Sequence, residues 1–184
     1  MPHRLDPLLD PESIVIVGAT TSGGMGSRLI KNLQHGDFKG KLFGLHPKNK
    51  EAFGVPCYPD FKSLPEKVDH AIFAVSDERL EGLIDAAIEV DVKAMSIMSM
   101  LFIDDDEKPY LKDRIQAKLK KADILLCGAN GMGFFHIEKG VWVNGHYTRP
   151  NHESGGICII SQSGSGVAGI IDCEERINLN LSVS

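Results

Sequence analysis

The stretch IVIVGATTSGGMGSRLIKNL, residues 14–33, decides how this chain folds. Its first four residues are an unbroken β-branched run that ends at Gly18. A loop of glycine, serine and threonine follows, and then an amphipathic segment that reads as a helix over 25–35. Strand, glycine-rich loop and helix start, in that order, make a seat for a phosphate. Glycines let backbone N–H groups approach an anion, and the first turn of the helix adds partial positive charge.

The alternation continues downstream. SIVIVG (13–18), KLFGLH (41–46), HAIFAV (70–75), AMSIMS (94–99) and ILLCG (124–128) are near-continuously apolar. Runs of that kind suit strands buried on both faces of a parallel sheet. Helices are expected between them, at 25–35, 77–90 and 107–121. In the second, Leu80, Leu83, Ile84, Ala87 and Ile88 share one face, with Asp77 placed to cap the start. In the third, Leu111, Ile115 and Leu119 form a stripe, and lysines crowd the C-terminal end. Strands alternating with helices across short loops predict an α/β fold, a Rossmann-like doubly wound parallel sheet.

Around Gly128 the pattern breaks. GANGMGFFHIEKGVWVNGHYTRPNHESGG has no long periodic segment and reads as a loop-rich crossing between two units. GICIISQSGSGVAGIIDCEERINLNLSVS then repeats the opening design of strand, Ser/Gly loop, helix and strand, and the sequence stops there. The expectation is a first domain over 1–150 and, over 151–184, the beginning of a second, truncated α/β domain.

Composition narrows the partners. The 184 residues are 42% hydrophobic with a formal net charge of −5, which argues against a nucleic-acid or membrane-surface partner. No apolar run approaches the ~20 residues that span a bilayer. MPHRLDPLLDPES lacks the apolar segment of a secretory signal, so a cytoplasmic location is the expectation. Cys57, Cys127, Cys158 and Cys173 are scattered without a C-x-x-C pair, which fits neither a zinc knuckle nor a redox dithiol. The last three lie in or beside apolar stretches and read as small buried hydrophobes. His46, His70, His136, His146 and His152 occur singly, without ligand spacing, and read as structural or surface residues; no metal site is expected.

The first loop carries Gly18, Gly23, Gly24 and Gly26 but is not a strict G-x-G-x-x-G, because Thr20 stands at the second glycine; it also lacks the lysine of a P-loop. At the end of the second strand, LHPKNK places Lys48 and Lys50 where an NAD-binding unit carries an acid for the ribose hydroxyls. Cations there favour a phosphorylated ribose, which NADP and coenzyme A (CoA) both have; solvated surface lysines are the plain alternative. Ser76, Ser99 and Met100 sit at the ends of the third and fourth strands, where they would wall the crevice. In the second loop, SQSGSGVAG (161–169), Ser161 and Ser163 offer hydroxyls before another helix start. No glycine stands two residues before Ser163, so this is not the nucleophile elbow of esterases.

In this order the features resemble the NDP-forming acyl-CoA synthetases, the family of succinyl-CoA synthetase α subunits and ADP-forming acetyl-CoA synthetases. LLDPESIVIVGAT, FKGKLFGLHPKNK, GVPCYPDFKSLPEKVD, GANGMG and ISQSG match collinear family motifs, with Ala129 where the family usually has proline. The resemblance implies a CoA-binding Rossmann-like domain followed by the start of a flavodoxin-like one. It implies that Thr20, Thr21, Ser22, Gly23, Gly24 and Met25, following Gly18, cradle the CoA phosphates. Lys48 or Lys50 would lie near the 3′-phosphate, and Met98, Ser99 and Met100 beside the CoA. Ser163 and Gly164 resemble the helix start that holds the family's phosphohistidine, a residue expected beyond Ser184; no catalytic residue is expected within this chain, which alone would not complete a turnover.

The reaction implied joins a carboxylic acid to CoA at the expense of ATP, through an acyl phosphate and a phosphohistidine, with the CoA thiol as nucleophile. The partners implied are an ATP-grasp domain or subunit, which brings ATP/ADP and Mg2+, and assembly as an oligomer. Two other readings stand beside this one: the CoA-binding regulatory portion of a protein lysine acetyltransferase, and an NADP-dependent oxidoreductase.

Overall fold

A computed structural model describes residues 3–146, 153–172 and 177–184. A short helix α1 (Asp6–Leu9) leads into β1 (Ser13–Val17), whose five residues are all buried. Helix α2 (Met25–His35), β2 (Lys41–Leu45), the short pair β3 (Glu51–Ala52) and β4 (Val55–Tyr58), β5 (His70–Phe73), α3 (Asp77–Glu89), β6 (Ala94–Ile97), α4 (Leu111–Lys121) and β7 (Leu125–Gly128) follow. Seven strands form one sheet in the order β3-β4-β2-β1-β5-β6-β7. All neighbours are parallel except β3, which turns back on β4. This is the doubly wound sheet read from the apolar runs.

Alternation along β1 explains why both faces are covered. Val15 and Val17 point into a core with Phe73, Met95 and Ile97, closed by Leu80 and Ile84 of α3 and by Leu111, Ile115 and Leu119 of α4. Ile14 and Ile16 point the other way, onto Leu29, Ile30 and Leu33 of α2. Burying each such side chain contributes ~1.5–3 kcal/mol.

Two helix starts differ from the sequence reading. Helix α4 begins at Leu111, four residues later than the segment 107–121, because Asp106 takes the Leu111 N–H at 2.6 Å and so caps the helix from outside it. Asp77 does not cap α3. Ser76 is the N-cap and Asp77 the first helical residue, and its carboxylate turns across to another loop.

The region after Gly128, read as a loop-rich crossing, holds a hairpin of β8 (Gly133–His136) and β9 (Val141–Asn144). Beyond it β10 (Ile157–Ile160), α5 (Gly164–Asp172) and β11 (Leu179–Val183) form a parallel βαβ unit. β11 pairs antiparallel with β8, giving a second sheet in the order β10-β11-β8-β9. That sheet draws strands from both sides of residues 150 and 151, which lie outside the described residues. The hairpin is apolar on both faces: Phe134, Val141 and Val143 join the α2 core, while Phe135 and Trp142 join Val167 and Ile171 of α5. A segment of that kind serves two cores at once and carries no single periodic stripe.

The cysteines divide. Burial raises the Cys127 thiol above its ordinary range, and burial with the charge of Glu51 raises that of Cys57. Cys158 is exposed, against the expectation of burial, because β10 is an edge strand whose residues are largely open. Cys173 lies outside the described residues.

Candidate functional site

Chain order places β1 at the switch point of the large sheet. From β1 the chain passes through α2 to β2 on one side, then crosses back to β5 on the other. Loops that leave neighbouring parallel strands in opposite directions open a crevice at the strands' carboxyl ends. The loop 18–24 runs along its floor. Gly18 and Ala19 donate their N–H groups to Leu45 O at 2.9 and 3.3 Å, and Ala74 N–H donates to Val17 O at 2.9 Å, which locks the ends of β2, β1 and β5 together.

Close backbone approach shapes the loop. A Cβ on Gly26 would come within 2.1 Å of Gly18 O, so the first turn of α2 sits directly against the strand end. Gly24, the residue before α2, has φ +87, and a Cβ there would meet nothing within 4 Å: the loop opens towards solvent. Thr21, Ser22, Gly23 and Gly24 are exposed and Met25 half-buried. The hydroxyls of Thr20 and Ser22 lie 2.8 Å apart, and Ser22 N–H donates to Thr20 Oγ1 at 3.2 Å. The first-turn N–H groups of α2 have no acceptor within their own helix. Backbone donors, a helix start and open space above them suit a phosphate.

The other candidates from the sequence lie on the same rim. Lys48 and Lys50 follow β2, both exposed, and neither has an ion-pair partner among the described residues. The imidazole of His46 accepts the Lys48 and Asn49 N–H groups at 3.2 and 3.0 Å and so shapes the turn that carries them. Ser76 follows β5; Met98, Ser99 and Met100 follow β6. The Ser99 hydroxyl is buried without a hydrogen-bond partner among the described residues. Met100 is 62% exposed. Ser163 and Gly164 stand apart from this rim, at the start of α5. There the Ser163 hydroxyl accepts the Gly166 N–H at 3.1 Å, and Gly164 lies against Met132 of the loop after β7.

Four contributors carry no sequence motif. Ser27, buried in α2, donates its hydroxyl to Thr20 O at 2.5 Å and closes the loop from behind. Asn32, also buried, donates to Asn144 O and His146 O at 2.9 and 2.6 Å, and Arg28 donates to Gly145 O at 3.1 Å; together they tie α2 to the end of β9. A polar residue on the apolar face of an amphipathic helix, as Asn32 is, was the available signal. The last is Asp77, whose carboxylate receives Leu101 N–H and Phe102 N–H, each at 3.1 Å.

A glycine-rich loop at the switch point of a doubly wound sheet defines a domain that holds a phosphorylated ligand across its strand ends. More narrowly, residues 12–137 match the CoA binding domain, and the chain belongs to that family. It is 27% identical to the ADP-forming acetate–CoA ligase I of Archaeoglobus fulgidus, over 97% of this chain and 26% of that protein. It is 25% identical to the α subunit of the ADP-forming acetate–CoA ligase II of Pyrococcus furiosus, over 91% of this chain and 36% of that one. The dinucleotide-forming acetyl-coenzyme A synthetase 1 of Ca. Korarchaeum cryptofilum, solved with phosphate and ADP, superposes with a TM-score of 0.86 at 27% identity, covering 98% of this chain and 39% of that one. The chain thus spans between about a quarter and two fifths of the length of these relatives.

Proposed function

We propose that this chain is the CoA-binding portion of an ADP-forming acyl-CoA synthetase, which joins a carboxylic acid to CoA with ATP. The observation that carries the reading is the open loop 18–24 at the switch point, inside the segment 12–137 that matches the CoA binding domain. Thr20, Thr21, Ser22, Gly23, Gly24 and Met25 hold the diphosphate through backbone N–H groups, hydroxyls and the α2 start. Lys48 and Lys50 receive the 3′-phosphate of the ribose. From there the pantetheine arm runs over Ser76 towards Ser99 and Met100, crossing from β2 to β6 in sheet order, a span of ~14 Å at the usual strand spacing. Bound CoA supplies the thiol that attacks the activated acyl group. The residues of this chain bind and orient it.

ATP and Mg2+ are handled by an ATP-grasp part, fused or separate, and the start of α5 at Ser163 and Gly164 faces the histidine that carries the phosphoryl group. The α-subunit relative supports a partner of that kind. Calorimetric titration with CoA and with NADPH tests the reading. CoA should bind, and 3′-dephospho-CoA should bind more weakly in proportion to the lysine contribution; tight NADPH binding without CoA binding would replace the reading with an oxidoreductase.

A further inference from the structure

Met100 and Phe102 are 62% and 63% exposed, although Leu101 between them is 7% exposed and packed in the core beneath α3 and α4. The backbone achieves this by taking Leu101 to φ +56, the left-handed region that side chains other than glycine seldom occupy. Something outside the loop holds it there. Asp77 does so from the end of the neighbouring strand: its Oδ1 accepts Leu101 N–H and its Oδ2 accepts Phe102 N–H, each at 3.1 Å. One carboxylate therefore fixes two successive peptides and ties the end of β5 to the loop that follows β6. Both oxygens are used, and both partners are donors, so a carboxylate fits where an amide cannot.

We infer that Asp77 is a positioning residue of the CoA site, holding residues 100–102 so that Met100 and Phe102 form an apolar lip for the pantetheine arm. The inference rests on the functional reading above. Released from Asp77, the loop is free to leave the left-handed turn, and apparent affinity falls by the fraction of molecules that keep it.

The same strand offers a matched control. At the opposite pole of β5, one oxygen of the Asp69 carboxylate, Oδ2, accepts Glu12 N–H and Ser13 N–H at 2.9 and 3.1 Å, so here too a carboxylate holds two successive peptides, far from the crevice. Asp77→Asn keeps the shape but sets an NH2 against one of the two peptide donors. CoA affinity by calorimetry and hydrogen exchange at the 101 and 102 amides are measured for the wild type, Asp77→Asn, Asp77→Ala and Asp69→Ala. The expected result is an affinity loss of about tenfold or more in both Asp77 variants, corresponding to a turn kept by on the order of a tenth of molecules. Exchange at 101 and 102 should be faster in both. Asp69→Ala should lower the melting temperature and leave affinity unchanged. Wild-type affinity in Asp77→Asn with fast exchange at both amides would overturn the inference, as would an equal affinity loss in Asp69→Ala. Absence of CoA binding by the wild type would instead overturn the functional reading, and this inference with it.

Discussion

His70 sits at the start of β5 with no exposed surface, its Nε2 2.8 Å from Ser96 Oγ and its ring stacked on Phe134. Burial pushes its pKa down to about 3. The unfolded chain takes up a proton near pH ~6.5 that the folded chain refuses, so stability is full above that pH and is lost as pH falls towards the folded value. Between pH 5 and 6.5, before carboxylates contribute, urea denaturation should show stability falling by up to ~1.4 kcal/mol per pH unit. His70→Gln should flatten that slope. The cysteines make a second residue-scale expectation: at neutral pH a maleimide should label exposed Cys158 quickly and Cys127, which is partly buried and whose thiol is raised in pKa, slowly, as read by peptide mapping.

Helix α2 is the element on which the proposed site depends. Its first turn rests on Gly18 O, and Gly26→Ala would place a Cβ 2.1 Å from that oxygen. The helix must then back away from the strand end, carrying its N–H groups out of position. CoA affinity should fall at least ~10-fold, with a stability loss of ~1–3 kcal/mol. The bounds of α2 were legible, 25–35 both as expected and as found, because an apolar stripe and a preceding glycine pair mark its start and face. The five parallel strands flagged by apolar runs were legible for the same reason. The β8–β9 hairpin was not: each strand has four residues, and the flanking glycines and asparagines outweigh them. Asp77 shows the other limit. Its position before an amphipathic stripe looks like a cap, and only the folded chain brings residues 101 and 102 to its carboxylate.

At the scale of the whole molecule, the two sheets are joined through one hairpin whose alternate residues enter different cores. Phe134→Ala should cost ~3–5 kcal/mol, and so should Phe135→Ala, although the two phenyl rings lie on opposite faces. If the sheets unfold as one unit, both variants shift a single thermal transition; two separated transitions in Phe134→Ala would show that the first core survives the loss of the second sheet. Charge acts at this scale too. Against a net charge of −5, Lys48 and Lys50 form a local positive point at the crevice rim. Replacing both with alanine should weaken CoA binding, and the difference from wild type should shrink as salt rises. The chain has one tryptophan, Trp142, and it lies in that hairpin, 2% exposed, against Phe135 on the α5 side. Nature has thus placed a fluorophore inside the second core: the colour of its emission follows the packing of α5 on the hairpin, with no label attached and no second indole to confuse the signal.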